Sequence, residues 1–173
     1  MYTLQECAFI VLFYYHYRAK HLVKVHVWAG ISRKGRTGFC IFEGIMDRFL
    51  FTEILDQTLV PFIQAEFPTS HCFMQDNDPK HNSNFAKDFI ADKGINWWKT
   101  PAESPDLNPI ENMWHELKEF SRREVKPKTK QELIDGIVQF WETVCVEKCN
   151  KYINHLKKVV PRVIELQGAA TGY

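Results

Sequence analysis

Apolar and polar residues alternate along residues 22–32, where valines occupy every second position at the start of the run. A period of two residues is typical of a β-strand with one buried face, and it places Trp28 on the opposite face, among polar side chains. Residues 33–36 (RKGR) read as a turn, and residues 37–42 return as a second strand. The pattern therefore predicts an antiparallel hairpin.

Apolar residues at helical spacing predict helices in most of the remaining chain. Asp47 is placed to cap the first of them, and Thr129 opens a capping box at the start of a later one. Pro61 and Pro161 are expected to kink or end their helices, because proline lacks an N–H and crowds the preceding turn. The apolar stripes of these helices are Leu50 to Phe62, Phe85 to Ile90, Ile110 to Leu117, Leu133 to Val144 and Tyr152 to Val159.

Two further strands are short, at residues 71–75 and 95–100, the second following a glycine stop at Gly94. Trp97 and Trp98 are neighbours on the second strand, so one should face the core and the other the surface. A hairpin, then alternating strands and helices, then terminal helices predict an α/β domain built in layers.

The composition is that of a soluble globular domain. The chain has 173 residues, of which 45% are hydrophobic and 25% charged, which suffices for one domain with a core. Its net charge of +1 attracts no nucleic acid globally, so any such contact must come from a local patch. The five cysteines contain no C-x-x-C pair, which favours reduced thiols inside a cell over a zinc site. The apolar run 8–15 is too short to span a membrane.

Two acids stand where such a fold can bring them together. Asp76 closes the strand at 71–75. Glu111 follows with 34 residues between the two acids, in the first turn of a helix that Asn108 caps and Pro109 begins. Convergent carboxylates are ligands for hard cations such as Mg²⁺, and paired cations can clamp a phosphate during phosphodiester cleavage. A structural interpretation stays open for each acid, since aspartate often caps a turn and glutamate favours a first helical turn.

A basic segment, residues 118–130, follows this helix. Its basic residues are Lys118, Arg122, Arg123, Lys126, Lys128 and Lys130. One interpretation is a solvated face with cations at a helix C-terminus. The other is contact with DNA phosphates next to the acidic centre, which would hold register without reading sequence.

The motifs around the two acids resemble those of a known family. QDNDPKH at 75–81 and SPDLNPIEN at 104–112 are similar to the second and third acidic motifs of the Tc/mariner superfamily of DNA transposases. VWAGIS at 27–32 and FEG at 42–44 resemble strand motifs of that family, and GAATGY at 168–173 resembles its ending. The likeness covers nearly all of the chain.

The resemblance implies an RNase H-like fold, in which helices flank a mixed sheet and further helices follow at the C-terminus. It implies that Asp76 and Glu111 are the second and third acids of a catalytic Asp-Asp-Glu trio and bind Mg²⁺ (or Mn²⁺), two ions in the ancestral site. Lys80 and His81 would lie in the loop beside the metals, near DNA. The implied reaction is metal-dependent cleavage and transfer of DNA at transposon ends. The implied location is the nucleus, and no membrane partner is implied. Whether two copies form a homodimer stays open.

One departure from the family pattern concerns the first acid, which the family carries on a strand before the hairpin. Before the predicted hairpin this sequence has no aspartate, and its only glutamate there is Glu6. The sequence therefore predicts an N-terminally truncated DDE domain at 21–173, preceded by a segment of uncertain structure at 1–20. The central strand is either missing or replaced by the β-favouring apolar run 7–15. An unrelated tail is the other interpretation of that run.

A metal site that is short of one carboxylate holds its cations weakly or not at all and misplaces them. Small misplacements in such sites cost orders of magnitude in rate. We therefore expect little or no nicking or strand transfer from this chain. The alternative function is that of a non-catalytic domesticated relic, acting as a nucleic-acid-binding or protein-interaction module. A third outcome is a product that does not fold stably alone.

Overall fold

The structure is a computed structural model that describes residues 25–75, 78–99 and 107–167. Strands and helices alternate in the first part of the chain, and helices alone occupy the last part. In chain order the elements are β1 (His26–Ser32), β2 (Gly35–Phe42), α1 (Arg48–Ile54), a π-helical turn (Leu55–Leu59), α2 (Val60–Glu66), β3 (Phe73–Gln75), α3 (Asn84–Asp92), β4 (Trp97–Lys99), α4 (Ile110–Phe120), a second π-helical turn (Ser121–Val125), α5 (Lys130–Glu142) and α6 (Val146–Glu165).

The predicted hairpin is confirmed, because β1 and β2 pair antiparallel with His26 opposite Phe42. Its burial differs from the expectation of a half-buried strand. Val27 and Trp28, which point to opposite faces, are each only 1% exposed. The alternating pattern suggested a solvent-facing side, but helices cover both faces of this strand, and an indole is apolar enough to be buried there.

The strands β3 and β4 pair in parallel, with Phe73 opposite Trp97 and Gln75 opposite Lys99. The two strand pairs lie side by side in one layer, because alternate residues of β1 and β3 supply the same two cores. Met74 belongs to one core together with the inward valines of β1, and Phe73 belongs to the other together with Trp28. A strand at 7–15 that would join the pairs lies outside the described residues, so that expectation stays a prediction.

Helices cover the layer on both sides. On one side, α4, α5 and α6 bury a core in which the rings of Trp114 and Trp141 stack with centroids 5.9 Å apart. On the other side, α1, the first π-helical turn, α2 and α3 bury a second core around Phe51, Leu55 and Leu59. The α/β class and the arrangement of helices around a sheet therefore agree with the prediction. No helix among residues 25–75, 78–99 and 107–167 is both long and apolar enough to cross a bilayer.

Several local signals act as expected. The Asp47 carboxylate accepts the backbone N–H groups of the next helix at 2.9 and 3.0 Å, and Thr129 forms its predicted capping box. Trp97 is half-buried, whereas Trp98 is 59% exposed. The cap of α4 was predicted one residue early: the helix begins at Ile110, with Pro109 in the cap position and no side-chain cap.

The two internal prolines behave differently from the prediction. Ahead of Pro61 the helix widens into the π-helical turn, where Val60 donates its N–H to the Leu55 carbonyl, and helical structure then resumes. A wider turn accommodates proline because the ring no longer faces a normally spaced carbonyl. Pro161 neither ends nor interrupts α6, which continues to Glu165. Pro161 removes one backbone hydrogen bond from α6, but burial of the apolar stripe of α6 stabilises the helix enough for it to continue.

Close packing occurs where α5 crosses the second π-helical turn. A Cβ atom added to the buried Gly136 would lie 2.7 Å from both terminal carbons of Val125. Such a distance requires movement, and a β-branched side chain has few rotamers available to make it. Glycine is therefore needed here for close approach.

We predict that Gly136→Ala lowers the free energy of unfolding by about 1–2 kcal/mol, because overpacking costs about 1–3 kcal/mol and alanine regains up to about 1 kcal/mol in a helix. Chemical denaturation measures the change. Val125→Ala combined with Gly136→Ala should recover part of the loss. Gly38→Ala is the control, since its Cβ would make an ordinary 3.9 Å contact with Thr58. A Gly136→Ala protein as stable as the original would show that Val125 moves aside freely.

Candidate metal centre

Glu111 lies in the first turn of α4, as predicted from the sequence. The residue is half-buried, and its Oε1 atom is shielded from solvent. The apolar stripe of α4, which includes Ile110 and Trp114, belongs to the same core as Met74 of β3. Packing of this stripe therefore fixes the start of α4, which carries Glu111, against the layer that contains β3.

Asp76 follows directly after Gln75, the last residue of β3, and lies outside the described residues. Gln75 is fully buried and pairs with Lys99 in the parallel ladder. Because β3 and β4 run in parallel, their ends lie at the same edge of the layer. The meeting of Asp76 with Glu111 at that edge stays a prediction.

The donor chemistry at this edge fits a hard cation. Glu111 is a carboxylate with one shielded oxygen, and oxygen is the ligand atom that Mg²⁺ prefers. Across residues 25–75, 78–99 and 107–167, no three acidic, histidine or cysteine side chains group together as a metal site. In this part of the chain, Glu111 therefore fits one ligand position of a centre whose other predicted ligand is Asp76.

Hydrogen bonds join Asp78 and Lys80 in the segment before α3. The Asp78 carboxylate accepts the backbone N–H of Lys80 at 3.1 Å and pairs with the Lys80 ammonium at 2.5 Å. Burial alone would raise the pKa of Asp78, but these hydrogen bonds from Lys80 outweigh it and lower the pKa. Lys80, predicted to lie near DNA, is therefore half-buried and already ion-paired within its loop.

His81 was also predicted to lie near DNA, and its position differs from that expectation. The residue is 1% exposed, and its ring lies 4.4 Å from the ring of Phe51, centroid to centroid. In this conformation the imidazole is part of the core beneath the loop and does not face a surface that DNA could reach. The sequence could not show this, because Phe51 comes 30 residues earlier in the chain.

The predicted basic segment begins at the far end of α4. Arg122 and Arg123 are exposed and pair with the Glu119 carboxylate at 3.2 and 2.9 Å. Lys126 is exposed and ends the second π-helical turn in a left-handed conformation, with a φ angle of 49°. Lys118, one helical turn before Arg122, is half-buried.

Distance separates this segment from the candidate centre. Arg122 follows Glu111 by 11 residues, which corresponds to roughly 16 Å along a helix axis. The two arginines therefore lie at the other end of α4 from Glu111, and Glu119 offsets part of their charge. Contact of the segment with DNA stays a prediction. A contact with DNA phosphates would have to be made by a part of the duplex some distance from the reacting bond.

Sequence reasoning missed a polar cluster that ties α4 to α6. The Glu116 carboxylate pairs with the Lys148 ammonium at 2.8 Å and accepts a hydrogen bond from the Tyr152 hydroxyl. Burial would raise the pKa of Glu116, but the hydrogen bonds from Lys148 and Tyr152 lower it below its ordinary value. Burial and the same carboxylate raise the pKa of Tyr152. Spacing places Lys148 and Tyr152 on one face of α6, but it does not identify a partner on α4.

A family model described as DDE superfamily endonuclease matches residues 14–134, which is more than half of the chain. The chain belongs to this family, and its relatives place it among the Tc/mariner transposases. The Tcb1 transposase of Caenorhabditis briggsae is 30% identical over 149 residues, which cover 86% of this chain and 54% of that protein. The Tc1 transposase of Caenorhabditis elegans is 28% identical over the same shares. The chain thus spans about half the length of these relatives.

Solved structures agree on the fold. The catalytic domain of Mos1 transposase, determined with raltegravir and Mn, superimposes with a TM-score of 0.83 at 14% identity, covering 97% of this chain and 86% of that one. The catalytic domain of Mos1 mariner transposase, in a separate crystal structure, gives a TM-score of 0.82. The RNase H-like fold expected from the sequence motifs is confirmed.

We predict that Glu116→Gln reduces stability in a pH-dependent manner. The carboxylate is 41% exposed, so the loss near neutral pH should stay below about 1 kcal/mol. A lowered pKa in the folded state contributes stability above the ordinary value of 4.5 and loses it as the pH falls through the lowered value. Unfolding curves of variant and wild type should therefore converge in acid. Glu142→Gln, at an exposed site on α5, is the control, and a pH-independent difference would contradict the assignment.

Proposed function

We propose that this chain is the DNA-processing domain of a cut-and-paste transposase, in which Asp76 and Glu111 hold a divalent cation, Mg²⁺ or Mn²⁺. The observation that carries the proposal is the placement of Glu111. Its carboxylate stands in the first turn of a helix packed on the sheet, with one oxygen shielded, in a chain of the DDE family. The related proteins are transposases, and Mos1 structures include Mg or Mn.

The proposed roles follow from where the residues lie. When bound, the cations stabilise charge on the reacting phosphate and activate the attacking water or DNA 3′-hydroxyl. Asp76, at the end of β3, and Glu111, at the start of α4, would hold the metal from two elements that a shared core fixes in place. The charge of Lys80 is partly offset by Asp78, so it would position the acidic loop more than it would bind a phosphate. The substrate would be transposon-end DNA, and the location the nucleus.

Catalytic capacity is the second part of the proposal. Before the β1–β2 hairpin the sequence has no aspartate and one glutamate, Glu6, so we infer that the first acid of the family trio has no counterpart in that segment. We propose that two acids bind metal weakly and that this chain cuts DNA slowly or not at all. The same observation supports the alternative function, a non-catalytic module that binds nucleic acid or protein.

We predict that Mg²⁺ or Mn²⁺ raises the midpoint of thermal unfolding, because a ligand that binds only the folded state stabilises that state. At a ligand concentration of a hundred times its Kd, the free energy of unfolding rises by about 2.7 kcal/mol. Asp76→Asn and Glu111→Gln should each abolish most of the rise. Asp92→Asn and Glu142→Gln, at exposed positions on α3 and α5, should leave it unchanged. A flat response of the unmodified chain would favour the non-catalytic alternative.

We predict that the chain leaves transposon-end DNA uncut in Mg²⁺ or Mn²⁺, because two carboxylates place the cations poorly. A labelled duplex carrying the ends of a related element measures nicking, and a complete Tc/mariner transposase acting on its own ends is the positive control. Metal-dependent cleavage that Asp76→Ala abolishes would refute this prediction and show that two acids suffice.

A further inference from the structure

A cleft of about 380 Å³ lies between α4 and α6. Every residue that lines it is polar, basic or aromatic, and none of the described lining residues is acidic. They are Asn112, Lys151, Tyr152, Asn154, His155 and Lys158. A cleft of this composition suits an anion with several oxygen acceptors, because ammonium, amide and imidazole groups can all donate hydrogen bonds.

The nearest carboxylate, Glu116, offsets part of the charge of Lys151, with which it interacts electrostatically, and it is not among the residues that line the cleft. Glu116 is engaged by Lys148 and by the hydroxyl of Tyr152. Lys151 and Lys158 are exposed, and the Lys151 ammonium lies 5.3 Å from the centroid of the Tyr152 ring. This arrangement therefore leaves both lysines able to meet a ligand.

Arg33 orients the side-chain amide of Asn154, one of the residues that line the cleft. Arg33, in the β1–β2 turn, donates a hydrogen bond of 2.7 Å to the Asn154 amide oxygen. The amide nitrogen of Asn154 is on the opposite side of the group, so its N–H donors remain directed away from Arg33. Arg33 also donates to Asn150 at 2.9 Å, which anchors the turn along α6.

One lining residue of the cleft is the direct sequence neighbour of the predicted metal ligand Glu111. Asn112, on the α4 side of the cleft, is the residue directly after Glu111, and consecutive Cα atoms are about 3.8 Å apart. The predicted basic segment, by contrast, begins near the other end of α4. Asn112 and Glu111 belong to the same turn of α4, so the cleft is nearer to Glu111 along the helix axis than Arg122 or Arg123 is.

We propose that the α4–α6 cleft binds backbone phosphates of the polynucleotide strand that extends from the candidate metal centre. This inference rests on the proposed function and adds to it a binding site outside the acidic motifs. Lys151 and Lys158 are seven residues apart, or about 10.5 Å along the helix axis. The flexible side chains of two lysines at this spacing can either converge on one anion or bind successive phosphates of one strand, so inorganic phosphate is the competing ligand in the test. Contacts with successive phosphates position a strand without reading its sequence.

The experiment measures binding of a short fluorescent DNA duplex by anisotropy, with a chelator present so that metal plays no part. We compare the unmodified chain with the variant Lys151→Gln/Lys158→Gln across a series of salt concentrations. Each phosphate contact that is lost should make the slope of log K against log salt shallower by about one. The slope should therefore change by about two in this variant.

The matched control is Lys157→Gln/Arg162→Gln, which removes the same charge from exposed positions on the same helix outside the cleft. Circular dichroism confirms folding of both variants. The proposal is supported if only the cleft variant changes the slope. It is overturned if both variants change it equally, or if neither does. It is also overturned if inorganic phosphate at low concentration binds the cleft as tightly as DNA does.

Failure of this inference and failure of the proposed function give different results. If the unmodified chain binds DNA and gains stability from Mg²⁺ or Mn²⁺ through Glu111, but the cleft variant keeps the full slope, only the cleft assignment falls. If the unmodified chain shows no salt-dependent binding to DNA, the DNA-processing role falls and the cleft assignment falls with it.

Discussion

Burial of the strand layer on both faces is the constraint on which the rest of the structure depends. Val27 and Trp28 are neighbours on β1, point in opposite directions, and are both almost completely buried. A strand with apolar side chains on both faces needs a packed helix on each face to shield them from water. Its backbone N–H and C=O groups can then be satisfied only by neighbouring strands. The positions of α4 and of the candidate metal centre follow from this arrangement.

The helix α4 connects the three features that bear on function. Its buried stripe places Glu111 against the layer that contains β3, and its next residue, Asn112, lines the cleft. One turn further, Glu116 binds Lys148 and Tyr152 of α6. The proposed metal ligand, one wall of the cleft and the anchor for α6 thus lie within two turns of one helix. A shift of α6 would consequently alter the cleft.

Local signals were predicted well where only a few neighbouring residues decide the outcome. Asp47 and Thr129 cap their helices because a short polar side chain reaches backbone N–H groups two or three residues ahead. The prolines were predicted less well. Pro61 sits behind a π-helical turn and Pro161 inside a continuous helix, because the packing of whole apolar stripes outweighs the loss of one hydrogen bond.

The sequence by itself determined the order of elements and the family, since the two acidic motifs and their spacing are properties of the chain read in line. It could not determine what lies across from each side chain. Burial of His81 under Phe51, the binding of Glu116 by residues of α6, and the cleft between α4 and α6 were decided only by tertiary structure. The reason is physical: these contacts join residues 30 or more positions apart, and their partners are chosen by how whole helices pack on the sheet.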